Sequence, residues 1–218
     1  MGYRFYETAA AEHLIDYEDT VLYPFGYGLS YTAFEQEMGP LTEADGQLTV
    51  DVTVTNTGST AGKDVVEVYY NPPYTNGGIE KSTANLIAFD KTETLKPGDS
   101  QTLTISFPIE NMASYDYRDV KGYVLEAGDY GISINRDSHN KLAEQVYTLE
   151  ETVTYTGENR RPGDTVTATN VFDYAAGDVT YLSRADGFAN YEEATAAPAD
   201  FSMGEEAKAT FINTANYR

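Results

Sequence analysis

Carboxylates are the side chains best supplied for chemistry in this 218-residue chain, with 35 Asp and Glu against 14 Lys and Arg and two His. Two carboxyl groups held in one pocket can divide acid and base roles, one protonated and one ionised. Abundance selects no such pair, and no motif here builds a pocket around one. Ser183-Arg-Ala-Asp186 brings a hydroxyl, a guanidinium and a carboxylate within one turn, but in a stretch without regular periodicity. Asp116, Asp119, Asp129 and Asp137 are hard oxygen donors of the kind Ca²⁺ takes. They lack EF-hand spacing and read as a solvated acidic rim. His13, near Glu12 and Asp16, reads as surface. There is no GxSxG elbow, no P-loop and no dinucleotide fingerprint. With no Cys, neither a disulfide framework nor a zinc-thiolate site can form. The expectation is that this chain holds no catalytic and no metal-binding residues of its own.

Aromatic side chains are the second resource. Trp is absent and Tyr occurs 19 times. Tyr69, Tyr70, Tyr74, Tyr115 and Tyr117 could offer stacking faces to sugars, with Tyr70 and Tyr74 the candidate contacts. The other reading buries such rings against neighbouring protein. The densest aromatic run is Leu22-Tyr-Pro-Phe-Gly-Tyr-Gly-Leu-Ser-Tyr-Thr-Ala-Phe34. Pro24 fixes one φ, and Gly26 and Gly28 can take the positive φ that other residues avoid. Around them stand Tyr23, Phe25, Tyr27 and Tyr31. A segment this stiff and apolar reads as a joint wedged between two packed bodies.

The elements around these residues are mostly strands. From Tyr31 the pattern turns to period two. Residues 47–56 place Leu48, Val50, Val52 and Val54 on one face and Thr or Asp on the other, the mark of a half-buried antiparallel strand. Asn56-Thr-Gly-Ser-Thr-Ala-Gly62 is a turn cluster. Val65–Tyr70 is a second strand, which Asn71-Pro-Pro must stop or place at an edge. Further strands are expected over residues 84–93 and 101–107, and a closing hairpin over 123–134 through Ala127-Gly-Asp. Residues 146–156 alternate imperfectly and could add an edge strand. Strands at this spacing, with turn chemistry between them, predict a β-sandwich of about seven strands. Thr8–Leu14 could form a turn or two of helix, and Glu205–Phe211 a short one. Ala194-Thr-Ala-Ala-Pro-Ala has the composition of a linker.

The formal net charge of −21 opposes phosphate backbones and anionic bilayers, so nucleic-acid and membrane partners are not expected. No apolar run approaches the roughly 18 residues that a membrane-spanning helix needs. The start, Met1-Gly-Tyr-Arg-Phe-Tyr, lacks the basic head and apolar core of a signal peptide.

The joint at 22–34 resembles the FPFGYGLSYT-type junction of glycoside hydrolase family 3, the β-glucosidase and β-xylosidase family. Three further stretches match in order: VTNTGSTAGKDVVEVYY from Val54, LKPGDSQTLTISF from Leu95 and LEAGDYGISI from Leu125. The resemblance implies an all-β fold, a fibronectin-III-like (immunoglobulin-like) antiparallel β-sandwich with irregular flanking segments. By the same resemblance, residues 1–29 are the C-terminal remnant of an α/β sandwich domain with the junction, and Gly2-Tyr-Arg-Phe-Tyr-Glu is a strand of it. Residues 30–140 are the fibronectin-III-like sandwich. Residues 141–218 are a connector toward a catalytic barrel, because the stretch from Asn170 to Asp186 resembles that of a family 3 subgroup with reversed domain order. The match weakens after Asp186, where Gly187 and Phe188 follow. The resemblance implies a parent that hydrolyses β-glucosides by a retaining mechanism and without a cofactor. Its two carboxyl groups, about 5–5.5 Å apart, would lie outside this chain. The partners implied are the α/β sandwich, the barrel and, for the parent, a carbohydrate substrate. The rival reading is a stand-alone β-sandwich module that binds carbohydrate or protein.

Overall fold

A computed structural model describes residues 2–168, 172–175, 177, 180–196 and 204–209. The linker residues 197–199, the end run 211–217, Asn170, Val171 and Val179 lie outside the described residues.

Ten strands form among the described residues: β1 (Phe34–Ala44), β2 (Gln47–Asn56), β3 (Val65–Asn71), β4 (Asn85–Lys91), β5 (Ser100–Pro108), β6 (Ser114–Asp116), β7 (Gly122–Leu125), β8 (Gly128–Asn135), β9 (Lys141–Leu149) and β10 (Val153–Tyr155). They make three antiparallel sheets, ordered β1-β2-β5, β4-β3-β8-β9 and β10-β7-β6. The inward residues of the two larger sheets meet in one core. β2 gives Leu48, Val50, Val52 and Val54, and β5 gives Leu103, Ile105 and Phe107. Val66, Val68 and Tyr70 of β3 and Tyr130, Ile132 and Ile134 of β8 close it from the other side. Side chains on a strand alternate between faces, so the Val-x-Val-x-Val spelling alone fixes which side packs.

Two local devices hold the sandwich edges. Gly39-Pro40 interrupts β1 with a register shift between Met38 and Leu41, where Pro cannot donate to a ladder. The Gln145 side chain of β9 takes up the freed groups, accepting from Leu41 N–H (3.1 Å) and donating to the Gly39 carbonyl (2.7 Å). At the other end, fully buried Asn56 organises the turn cluster. Its amide nitrogen donates to the carbonyls of Thr60 and Leu95, and its oxygen accepts from Thr32 Oγ1 and Gly58 N–H. Gly58 lies so close to Thr32 and Ala33 that a Cβ would collide with both.

Three expectations need correction. Residues 123–134 do not form a hairpin: β7 pairs with β6 and β10, while β8 pairs with β3 and β9. The chain crosses between sheets at Glu126-Ala127, a step that local turn chemistry does not reveal. The sheets also continue past residue 140, because β9 pairs with β8 along its length and β10 with β7. Finally, the Gly2-Tyr-Arg-Phe-Tyr-Glu stretch is helical. Helix α1 (Tyr3–Ala11) and the single turn α2 (Tyr17–Thr20) precede the joint. Without a sheet to join, a segment ending in three alanines follows its helix propensity. Nine residues are too few to hold a helix alone in water, so tertiary contacts must stabilise it.

Candidate functional site

Those contacts form the most elaborate side-chain constellation among the described residues. It lies on the outward face of the β4-β3-β8-β9 sheet, where alternation places Glu67, Tyr69, Ser133 and Asn135. That face is covered: Tyr69 is 1% exposed, and Ser133 and Asn135 are buried too. The cover is the N-terminal segment. The Tyr3 hydroxyl accepts from Leu86 N–H (2.9 Å), an amide of edge strand β4, and Thr8 Oγ1 accepts from Thr83 N–H (3.1 Å). The Tyr3 ring stands edge-on to Tyr69 at 6.3 Å and stacks on Phe25 at 4.4 Å. An edge strand is a row of unpaired amides, and α1 occupies part of this one.

Glu7 anchors the cover. Its buried carboxylate accepts from the Tyr17 hydroxyl (2.7 Å) and the Ser138 hydroxyl (2.6 Å), and lies 2.9 Å from His139 Nδ1. The imidazole stacks on the Tyr17 ring at 3.7 Å. Burial, followed by the Glu7 hydrogen bond, pushes the Tyr17 hydroxyl pKa above its ordinary range. Burial likewise raises Glu67, which accepts from the Tyr69 hydroxyl at 2.7 Å. Tyr69 is raised by burial and by that same carboxylate. These hydroxyls stay protonated and donate to the two carboxylates. The cluster is a clamp of tyrosine and serine protons around one buried and one half-buried carboxylate.

The joint runs out of this clamp. Phe25 C=O accepts from Ser138 N–H (2.8 Å), and Tyr27 N–H closes a turn on Pro24 C=O (3.1 Å). Gly26 has φ of 88° and faces the Glu67 carboxylate so closely that a Cβ would overlap it. Only glycine meets both conditions. Beyond it, Tyr23 leans on Tyr27 (4.9 Å), and both rings are exposed with Leu22, Gly28 and Leu29. Tyr31 is 99% exposed. The structure thus brings Tyr23, Pro24, Phe25, Gly26 and Tyr27 together and leaves Tyr31 projecting alone.

The residues at 181–191 close the other flank of α1. Ser183 Oγ donates to Glu80 Oε1 (2.5 Å). Arg184 pairs with Glu12 (2.5 Å), donates to the Lys81 carbonyl (3.2 Å) and lies over the Tyr74 ring at 3.8 Å. Phe188 is buried edge-on to Phe5, and Tyr191 stacks on the same ring. Asp186 is exposed and accepts from Ala189 N–H, serving the turn that contains it.

The candidate sugar contacts fare differently. Tyr70 is 8% exposed and belongs to the core, so it cannot present a stacking face. Its place on β3 follows from the Val66-Val68 alternation. Tyr74 is half-buried, with Arg184 across its ring. The acidic positions act as turn organisers. Asp116 accepts from the backbone N–H groups of Arg118, Asp119 and Val120, and Asp137 from those of His139 and Asn140. Burial raises the Asp116 pKa, but the three amide donors outweigh it and hold the group below its usual value. Among the described residues no group of three or more His, Asp or Glu has metal-binding geometry.

Sequence reasoning missed Glu7, Ser138 and His139. They are 131 and 132 residues apart, and each looks like an ordinary surface residue in its own neighbourhood. The only available signal was a Glu inside an Ala-rich amphipathic helix.

Comparison with known proteins matches the fold. Residues 64–138 fit the model of the fibronectin type III-like domain. A β-glucosidase of Ruminococcus albus is 38% identical over 156 residues, covering 70% of this chain and 15% of the relative. β-Glucosidase A of Butyrivibrio fibrisolvens is 37% identical, with 70% and 20% covered. The chain therefore spans only about a fifth or less of the length of these relatives. Among solved structures, β-glucosidase 3B of Thermotoga neapolitana in complex with α-D-glucose superposes with a TM-score of 0.61 at 33% identity, over 71% of this chain and 20% of that one. A β-glucosidase of Paenibacillus barengoltzii gives 0.61 at 40% identity, over 70% and 17%. Over about 70% of its length the chain is thus similar to one segment of β-glucosidases, glycoside hydrolase family 3 enzymes among them, and its residues 64–138 match a fibronectin type III-like domain.

Proposed function

We propose that this chain is a non-catalytic interdomain segment of a family 3 glycoside hydrolase, whose parent cleaves β-glucosides or related β-glycosides by a retaining mechanism. Its work is mechanical. The sandwich supplies a rigid body, the Glu7 clamp fixes the N-terminal segment to it, and the joint presents apolar rings outward to an α/β sandwich domain. Residues 181–191 strap the same region and lead toward a catalytic barrel on the C-terminal side. The observation that carries this reading is the joint itself. Its backbone is pinned at Phe25 and Gly26, while Leu22, Tyr23, Leu29 and Tyr31 stand in solvent. A pinned backbone under exposed rings fits a surface built to be covered.

The test compares one substitution in two contexts. Tyr31→Ala should leave the unfolding free energy of the 218-residue chain within about 0.5 kcal/mol. In the full-length parent it should cost about 1.5–3 kcal/mol, the worth of a fully buried large apolar side chain. Equal losses in both would remove the interdomain role. The chain alone should show no turnover of aryl β-glucosides, and turnover abolished by a point change within it would overturn the non-catalytic assignment.

A further inference from the structure

The loop after β3 carries a reactive pair that the interdomain role does not use. Of the chain's asparagines, Asn76 alone is followed by glycine. With no Cβ beside it, a glycine amide nitrogen can approach a neighbouring side-chain carbonyl more closely than that of any other residue. We propose that Asn76 is a self-modification site, converted in the folded protein to aspartate and isoaspartate through a cyclic imide closed by the Gly77 nitrogen. In the first step the Gly77 nitrogen gives up its proton and bonds to Asn76 Cγ, while Nδ2 takes up a proton and leaves as ammonia. Water then opens the imide. Attack at Cγ gives aspartate, and attack at the main-chain carbonyl gives isoaspartate, whose peptide bond runs through the side chain.

The fold leaves this reaction open. Asn76 and Gly77 are both exposed. Gly78 N–H donates to Thr75 C=O (2.9 Å), closing a β-turn whose third residue, Gly77, has φ of 83°. The turn is therefore held by its outer residues. Among the described residues neither the Gly77 N–H nor Asn76 Nδ2 donates to any group, so the attacking and the leaving nitrogen are both free. Nothing lies within 4 Å of where a Gly77 Cβ would stand. The Tyr74 hydroxyl donates a long hydrogen bond to Asn76 Oδ1 (3.3 Å), which draws electrons from the carbon under attack. The same Tyr74 ring carries the Arg184 guanidinium at 3.8 Å, so the new carboxylate arises beside the side chain on which residues 181–191 rest. Other asparagines are held back. The side-chain nitrogens of Asn56 and Asn85 are bound to carbonyls. Asn71 precedes Pro72, whose nitrogen has no proton to give up.

The site is independent of the interdomain role and is tested on the 218-residue chain. The protein is aged in neutral buffer, folded or unfolded in guanidinium, then digested with trypsin and read by mass spectrometry. The tryptic fragment 64–81 holds Asn71 and Asn76. Because Asn71 cannot close the ring, a one-dalton gain in that fragment reports Asn76. Asp45-Gly46 and Asp186-Gly187 can form the same imide only by losing water, and its hydrolysis restores their mass. The expected result is a gain in fragment 64–81, with isoaspartate among the products, at a folded-state rate within tenfold of the unfolded-state rate. Asn76→Gln, which would have to close a six-membered ring, should slow the gain at least tenfold at an unchanged melting temperature. Three results would overturn the proposal: no gain in the folded chain, a folded-state rate below a tenth of the unfolded one, or an undiminished gain in the Asn76→Gln variant.

Discussion

On the outward face of the β1-β2-β5 sheet, Thr49 meets Ser106, Thr53 meets Thr102 and Thr55 meets Ser100, each hydroxyl pair 2.8–2.9 Å apart in solvent. On the outward face of the β4-β3-β8-β9 sheet, Tyr69, Ser133 and Asn135 lie buried beneath residues that precede the sandwich in sequence. Both sheets use the same alternation, and both fill the shared core with it. They differ in what arrives on the other side. A face spelled with short hydroxyl residues satisfies itself across the strands and needs no cover. A face carrying a Tyr and a Glu next to an edge strand accepts a helix here, because Tyr3 and Thr8 of that helix take up the amides of Leu86 and Thr83 and the Tyr3 ring packs on Tyr69. An outward position on a strand is thus solvent-facing only if nothing docks on it.

The comparison is most vulnerable at Tyr69. If the covered face is a second core, Tyr69→Ala should cost about 3–5 kcal/mol, the range for truncating a buried aromatic, measured by urea denaturation. A loss below about 1 kcal/mol would mean that the cover rests on the sheet without stabilising it.

Glu67 sharpens the same contrast through pH. Burial raises its pKa above the ordinary 4.5 in the folded state. A carboxyl whose folded pKa is raised stabilises the fold fully below the unfolded value, and that contribution is lost as pH rises through the folded value. Glu67→Gln keeps the shape and the acceptor for the Tyr69 hydroxyl while removing the charge. The variant should therefore be the more stable protein at pH 7, by less than the Tyr69 effect, and the gain should vanish toward pH 4. A gain that persists at pH 4 would assign it to something other than the half-buried charge.

The smallest effect belongs to the open face. Thr53→Ala breaks one hydroxyl contact in solvent and should change stability by no more than about 0.5 kcal/mol. A loss of about 2 kcal/mol would show that this face, too, is held by more than its own ladder.

How much of this was legible varies by element. The core was nearly complete in the sequence, since Leu48-x-Val50-x-Val52-x-Val54 and Leu103-x-Ile105-x-Phe107 each name one face directly. The turn at Pro24 and Gly26 was legible as a turn, and the structure gives Gly26 its reason in Glu67. The first half of helix α1 was misread as a strand because a short Tyr-rich run fits either state, while its second half, from Thr8, was read as helix from the start. The Glu126-Ala127 crossing was misread as a hairpin because a turn's residues set its local geometry and leave the destination of the next strand open.

Composition and periodicity by themselves determined that this chain makes an antiparallel sandwich with an acidic surface and an aromatic turn around Pro24 and Gly26. Those properties depend on residues a few positions apart, whose relation the backbone geometry fixes. Tertiary structure alone decided that Glu7, Tyr17, Ser138 and His139 share one site, that Tyr69 lies under a helix, and that Arg184 reaches Glu12 and Tyr74. Each of those pairings spans a distance in sequence over which no periodicity carries information. Only burial, which makes an unpartnered carboxylate costly and a partnered one useful, selects the groups that meet.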